Sequence, residues 1–113
     1  AMAAVVADRT PEAFTGVIIW DSYPPTFASL ADHAKPVWLI HRATPDGAPP
    51  PAFAQQRHLF PRDSRWAAIA GGIHMQFGSF APGGYQEDWA PSISETEQHR
   101  AVVRLTLEAL EQM

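Results

Sequence analysis

Three apolar runs, each closed by polar or turn residues, divide the chain. "VIIWDS", Val17 to Ser22, is rich in β-branched residues and stops before Pro24 and Pro25. "PVWLIH", Pro36 to His41, opens on a proline, where no ladder donor is needed. "RWAAIA", Arg65 to Ala70, is the weakest of the three. Continuous apolar runs of this length, without alternation, predict strands buried on both faces. Between the last two runs, "PAFAQQRHLF" (Pro51 to Phe60) predicts a short helix with proline in its first turn and Phe53, Ala54 and Phe60 as apolar positions. "AMAAVVADR" predicts an opening helix, ended by Pro11 and Gly16. It begins without a cap. Ser94 and Glu97 have the spacing of a capping box and predict a helix to the end of the chain. Val102, Val103, Leu107 and Leu110 then share one face, with Leu105 beside them.

Strands alternating with helical segments predict an α/β chain with about three parallel strands and flanking helices. Three strands are few for such a sheet, because parallel strands need cover on both faces and neighbours at both edges. Residues 1–113 are therefore expected to form a single C-terminal half of an α/β domain. Its sheet is expected to be completed by an N-terminal half, another chain or another copy.

In open parallel sheets functional groups gather beyond the carboxyl ends of the strands. Asp21 and Ser22 follow the first run, Asp46 the second, and His74 the third, in "AIAGGIHMQFGSF". A carboxylate and an imidazole on neighbouring strand ends can orient and polarise a general base. The same residues have ordinary readings: His74 as a packed loop residue, Asp46 as half of an Asp-Gly turn, and Asp21 as a loop cap before Pro24. Trp20, Trp38 and Trp66 read as core. Phe77, Phe80, Tyr85 and Trp89, in the loop after His74, either line an apolar acyl pocket or cover a sheet edge.

Taken together, "GGIHMQFGSF", "PEAFTGVIIWDSYPP", "PVWLIHRATPDG" and "SISETEQHRAVV" resemble the histidine loop, the sixth strand, the seventh strand with its acid loop, and the closing helix of the α/β-hydrolase superfamily. The resemblance is to its serine esterase, dienelactone-hydrolase-like branch, and spans essentially the whole chain in the right order. It implies a partial α/β-hydrolase fold and a triad in the chain order serine, acid, histidine. It places the base on His74 and the acid on Asp46. Asp21 is the second candidate acid, since some members take the carboxylate from the end of the sixth strand. Ile73 stands where the family has asparagine, and "HRATPDG" is one residue longer than the usual approach to the acid, with Pro45 just before it. None of the serines at 22, 29, 64, 79, 92 and 94 lies in a G-x-S-x-G elbow. The nucleophile is therefore expected from outside this chain, which alone should be inactive.

Composition narrows the alternatives. The formal net charge is −4 with scattered basic residues, which argues against nucleic acid. There is no cysteine, so thiolate chemistry and disulfides are excluded. The five histidines show no H-E-x-x-H or similar spacing, and no metal or cofactor is implied. No apolar run approaches the ~20 residues of a membrane span, and the first residues lack a signal-peptide pattern. A cytoplasmic setting without membrane contact is expected. Two accounts of function follow. One is the acid–base half of a serine hydrolase acting on a small ester-like substrate. The other is a non-catalytic, self-associating module derived from such a fold.

Overall fold

The computed structural model describes residues 2–81 and 83–113. Ala1 and Pro82, assigned by sequence to the opening helix and to the loop after His74, lie outside the described residues.

Three strands, β1 (Val17–Trp20), β2 (Val37–Ala43) and β3 (Arg65–Ala70), form one parallel sheet in the order β1-β2-β3. Val17 lies opposite Val37, and Trp38 opposite Arg65. Helix α1 (Met2–Arg9) packs on one face, and α3 (Glu95–Glu111) on the other. The alternation of side chains along a strand divides the apolar residues between two cores. Val17, Ile19, Val37 and Leu39 pack with Ala4, Ala7, Leu30, Phe53 and Phe60. Ile40 and Ile69 pack with Val102 and Leu105. Every residue of β2 is buried, as a central parallel strand requires.

The strand ends differ from the sequence expectation, and both differences shape the site. β1 stops at Trp20 because Asp21 turns into the left-handed region at φ 48°. Its N–H still donates to Ile40 O (2.8 Å), carrying the ladder one residue further. β2 runs on through Arg42 and Ala43. A buried arginine within a strand is tolerated only when its charge is met, and Asp21 meets it.

The segment expected as one helix over 51–60 divides into α2 (Pro51–Gln55) and a 3-10 turn (Arg57–Leu59). Phe53, Leu59 and Phe60 are buried, while Ala54 faces solvent. Helix α3 starts at the expected capping box: Ser94 Oγ accepts from Glu97 N–H, and the Glu97 side chain accepts from Ser94 N–H. Its buried stripe is Gln98, Val102, Leu105 and Ala109. Val103, Leu107 and Leu110 are more than half exposed, contrary to the face expected from sequence. The stripe is fixed by what lies beneath it, Ile40 and Ile69, and not by the helix's own apolar count. Trp38 is core, but Trp20 is 47% exposed on the edge strand and donates from Nε1 to Thr106 Oγ1 (3.2 Å). Among the described residues no helix is long and apolar enough to cross a membrane.

His41 points into the core between Phe53 and Trp66, with Nδ1–H donating to Arg42 O (2.7 Å). Burial pushes its proton affinity below the ordinary value, against the opposing pull of that hydrogen bond and of Asp21. The unfolded chain therefore takes up a proton near pH 6.5 that the native His41 refuses. The His41 contribution to stability is full above about pH 6.5 and is lost as pH falls from there through the depressed native value. Urea midpoints measured between pH 7.5 and 5 are expected to fall more steeply in the wild type than in His41→Gln. Equal slopes would show that His41 is not the buried neutral group described.

Candidate active site

The site is built where the three strands end. Gly71 follows β3 at φ 79°; its N–H donates to Ala43 O (2.9 Å) and its carbonyl accepts from Ser92 N–H (2.9 Å). A β-carbon there would stand 2.0 Å from Ser92 Oγ, so only glycine fits a chain that turns this tightly beside the 92–93 segment. Gly72 is likewise crowded by Gln98. The chain then enters a short 3-10 helix, His74–Phe77, with His74 at its first position.

The imidazole meets a carboxylate. His74 Nδ1 lies 2.6 Å from Asp21 Oδ2, and the Asp21 side chain is fully buried. The carboxylate can only accept, so Nδ1 carries the proton and Nε2 is the nitrogen left for a reacting hydroxyl. Asp21 has further partners. Arg42 N–H donates to Oδ1 (2.8 Å), and the Arg42 guanidinium donates to Oδ2. Left-handed backbone is uncommon for a residue other than glycine and clusters at functional sites. Here it aims the Asp21 side chain back across the strand ends.

Asp46 does not take this place. It sits in the turn Thr44–Gly47, exposed, with its carboxylate accepting from the Thr44 hydroxyl. That bond, together with its own backbone N–H, holds its carboxyl below the usual carboxylate range. The expectation that Asp46 faces His74 is therefore corrected. β2 extends to Ala43, opposite the last residue of β3, so the Asp-Gly turn begins beyond the sheet end, and Gly47 at φ 92° closes it on itself.

A strap after the histidine loop covers the pair, and three consecutive residues fasten it. Glu87 accepts from His74 N–H (2.8 Å, Oε1) and Met75 N–H (2.9 Å, Oε2). Asp88 accepts from Arg42 Nη2 (2.9 Å). Trp89 Nε1 donates to Gly72 O (2.8 Å). The strap lays the Tyr85 ring over the imidazole, centroid to centroid 4.4 Å. Of the loop aromatics, Tyr85 thus reaches the site, Trp89 anchors the strap, Phe77 packs against the α3 core and Phe80 is exposed. Sequence reasoning missed Arg42, Glu87 and Asp88. The available signal was a charged residue extending an apolar strand, and a Glu-Asp-Trp triplet in a loop with no turn role for it.

Burial works against the Arg42 cation, but its bond to Asp88 and the charge of Asp21 outweigh that and raise its proton affinity above the ordinary value. The cation also lies against the Phe53, Tyr85 and Trp89 rings, at 5.4, 5.9 and 6.0 Å. Beside the pair opens a cleft of ≈ 400 Å³ lined by Asp21, Ser22, Tyr23, Pro25, Arg42, Ala52, Phe53, His74 and Tyr85. It is mainly aromatic and apolar, with the imidazole at its wall.

A family model described as the alpha/beta hydrolase family matches residues 1–100. The chain belongs to this family. No curated protein and no solved structure matches the chain. Membership in the alpha/beta hydrolase family accounts for the parallel strands and the helices on both faces of the sheet. A fold hosts many chemistries, however, and the reaction has to be argued from the site.

Proposed function

We propose that these residues form the acid–base part of a serine hydrolase acting on small ester-type acyl bonds. His74 is the general base, Asp21 the acid that orients it, and the serine comes from residues outside this sequence. The Asp21–His74 hydrogen bond carries the reading. A buried carboxylate fixes the tautomer and stabilises the imidazolium that forms when the ring takes a hydroxyl proton. The adjoining aromatic cleft supports a small acyl substrate.

The origin of the serine draws on two observations. No G-x-S-x-G occurs in the sequence. In addition, the β1 edge is open among the described residues, bordered by exposed Trp20, Val103, Leu107 and Leu110. The exposed face of α3, which carries Val103 and Leu107, includes none of the dyad. An added parallel strand on β1 would end beside Asp21. The same edge supports a second reading, a non-catalytic module that closes its sheet on another copy.

The 113 residues alone are expected to leave a chromogenic short-chain ester unhydrolysed. A longer polypeptide that also carries a nucleophile elbow is expected to hydrolyse it, with His74→Ala lowering kcat by about 10⁴-fold or more. Turnover by the 113 residues alone that disappears in His74→Ala would place the nucleophile inside them. Undiminished turnover by the longer His74→Ala protein would remove the hydrolase reading altogether. Light scattering on the 113 residues separates the second reading: a stable dimer supports the self-closing module, and a monomer counts against it.

A further inference from the structure

We propose that Arg42 is a positioning residue for the Asp21–His74 pair, which couples the carboxylate to the strap over the imidazole. The inference rests on the reading of that pair as the acid and base. Its basis is one shared atom: Asp21 Oδ2 accepts from both the Arg42 guanidinium and His74 Nδ1. The other terminal nitrogen of Arg42 donates to Asp88 (2.9 Å) and approaches the Tyr85 hydroxyl (3.5 Å). The side chain is only 6% exposed, so its charge is little screened. One planar fork thus spans two carboxylates on different segments, a geometry that a lysine ammonium does not reproduce.

Two consequences follow. Arg42 draws on the oxygen that would otherwise serve the imidazolium alone, and so moderates how strongly Asp21 holds a proton on His74. Asp88, in turn, draws Arg42 away from Asp21 and moderates Arg42. The charged and titratable groups around the pair include Asp21 at the end of β1, Tyr23 in the cleft, Arg42 and the buried His41 on β2, and Tyr85, Glu87 and Asp88 on the strap. From α3, His99 Nε2 bonds Gly78 O (3.0 Å) near Glu95. Arg42 bonds Asp21 directly and Asp88 bonds Arg42, so removing these two charges should act on His74 with opposite signs.

The test is an NMR titration of the His74 ring in the 113-residue chain. Arg42→Gln is expected to raise the protonation midpoint by about one pH unit, since it removes a nearby cation and frees Oδ2. Asp88→Asn is expected to lower it by a few tenths of a unit, because Arg42 then leans more on Asp21. Arg42→Lys is expected to keep the midpoint within a few tenths of the wild type while the Tyr85–His74 ring contact is lost. A role confined to holding the strap would move Arg42→Gln and Asp88→Asn in the same direction, and that result, or an unmoved Arg42→Gln, overturns the proposal. If Arg42→Gln does not fold, Asp88→Asn decides: a downward shift supports the coupling, and no shift or an upward one refutes it. Opposite shifts in a longer polypeptide that fails to hydrolyse esters would defeat the functional reading and leave the coupling standing.

Discussion

Asp21→Asn is expected to lower kcat about 10⁴-fold in the polypeptide that unites these residues with a nucleophile, whereas Asp46→Asn leaves kcat within about twofold of the wild type. The asymmetry follows from hydrogen-bond chemistry. Asp21 receives donors from Arg42 on both oxygens and from His74 on one. An asparagine offers one accepting oxygen and a donor NH₂, which must face either the guanidinium or Nδ1. Facing Nδ1, it forces the proton onto Nε2, and the ring can no longer take one from a hydroxyl there. Asp46 exchanges bonds only within its own turn. Asp21→Asn also leaves the Arg42 cation without its buried counter-charge, at a cost of about 3–5 kcal/mol. The rate is therefore compared at equal folded fraction, judged by circular dichroism. Equal activity of Asp21→Asn and wild type, or a collapse of activity in Asp46→Asn alone, would return the acid to the Asp-Gly turn.

Gln98→Ala is expected to cost about 2–3 kcal/mol of stability, the largest loss foreseen for a side chain outside the dyad. Gln98 is fully buried on α3. Its Nε2 donates to Ile73 O (2.8 Å), and its Oε1 accepts from Ile73 N–H (3.1 Å). Both backbone groups of the residue before His74 are thus held by one amide. Alanine leaves them unpaired and opens a void beside Gly72, where each lost bond costs on the order of 1 kcal/mol and the unfilled volume adds to it. Urea unfolding at neutral pH measures the loss, and the His74 ring resonances report whether the loop shifts with it. A change under about 0.5 kcal/mol would mean that Gly71 and the Glu87 hook hold the loop without Gln98.

This amide also supplies what the Ile73 side chain does not. Ile73 brings no polar side chain to the loop before His74. The loop is nevertheless tied, through the Ile73 backbone, to a glutamine one turn into α3. A single position read along the chain suggests a missing hydrogen bond, and the folded chain supplies one from 25 residues away.

The strands, their parallel sense and the capped closing helix were legible in the sequence because local patterns set them. β-branched apolar runs bury on both faces, and Ser94 with Glu97 caps the helix that follows. His74 was legible as a candidate because it follows an apolar run and a glycine pair, in a stretch that resembles the histidine loop of the superfamily. Which carboxylate meets the imidazole was not local. It depends on β2 running two residues beyond its apolar segment and on Asp21 adopting a left-handed backbone, and both depend on the Arg42–Asp21 ion pair across strands. The buried face of α3 was equally non-local, because the sheet beneath it chose Gln98, Val102, Leu105 and Ala109 over the neighbouring valine and leucines. Periodicity and turn chemistry act within a few residues, so the sequence determined the strands, the capped helix and the loop that carries His74. Charge pairing and close packing act between distant segments, so only the tertiary structure decided which carboxylate meets the imidazole, how the strap is fastened and which face of α3 is buried.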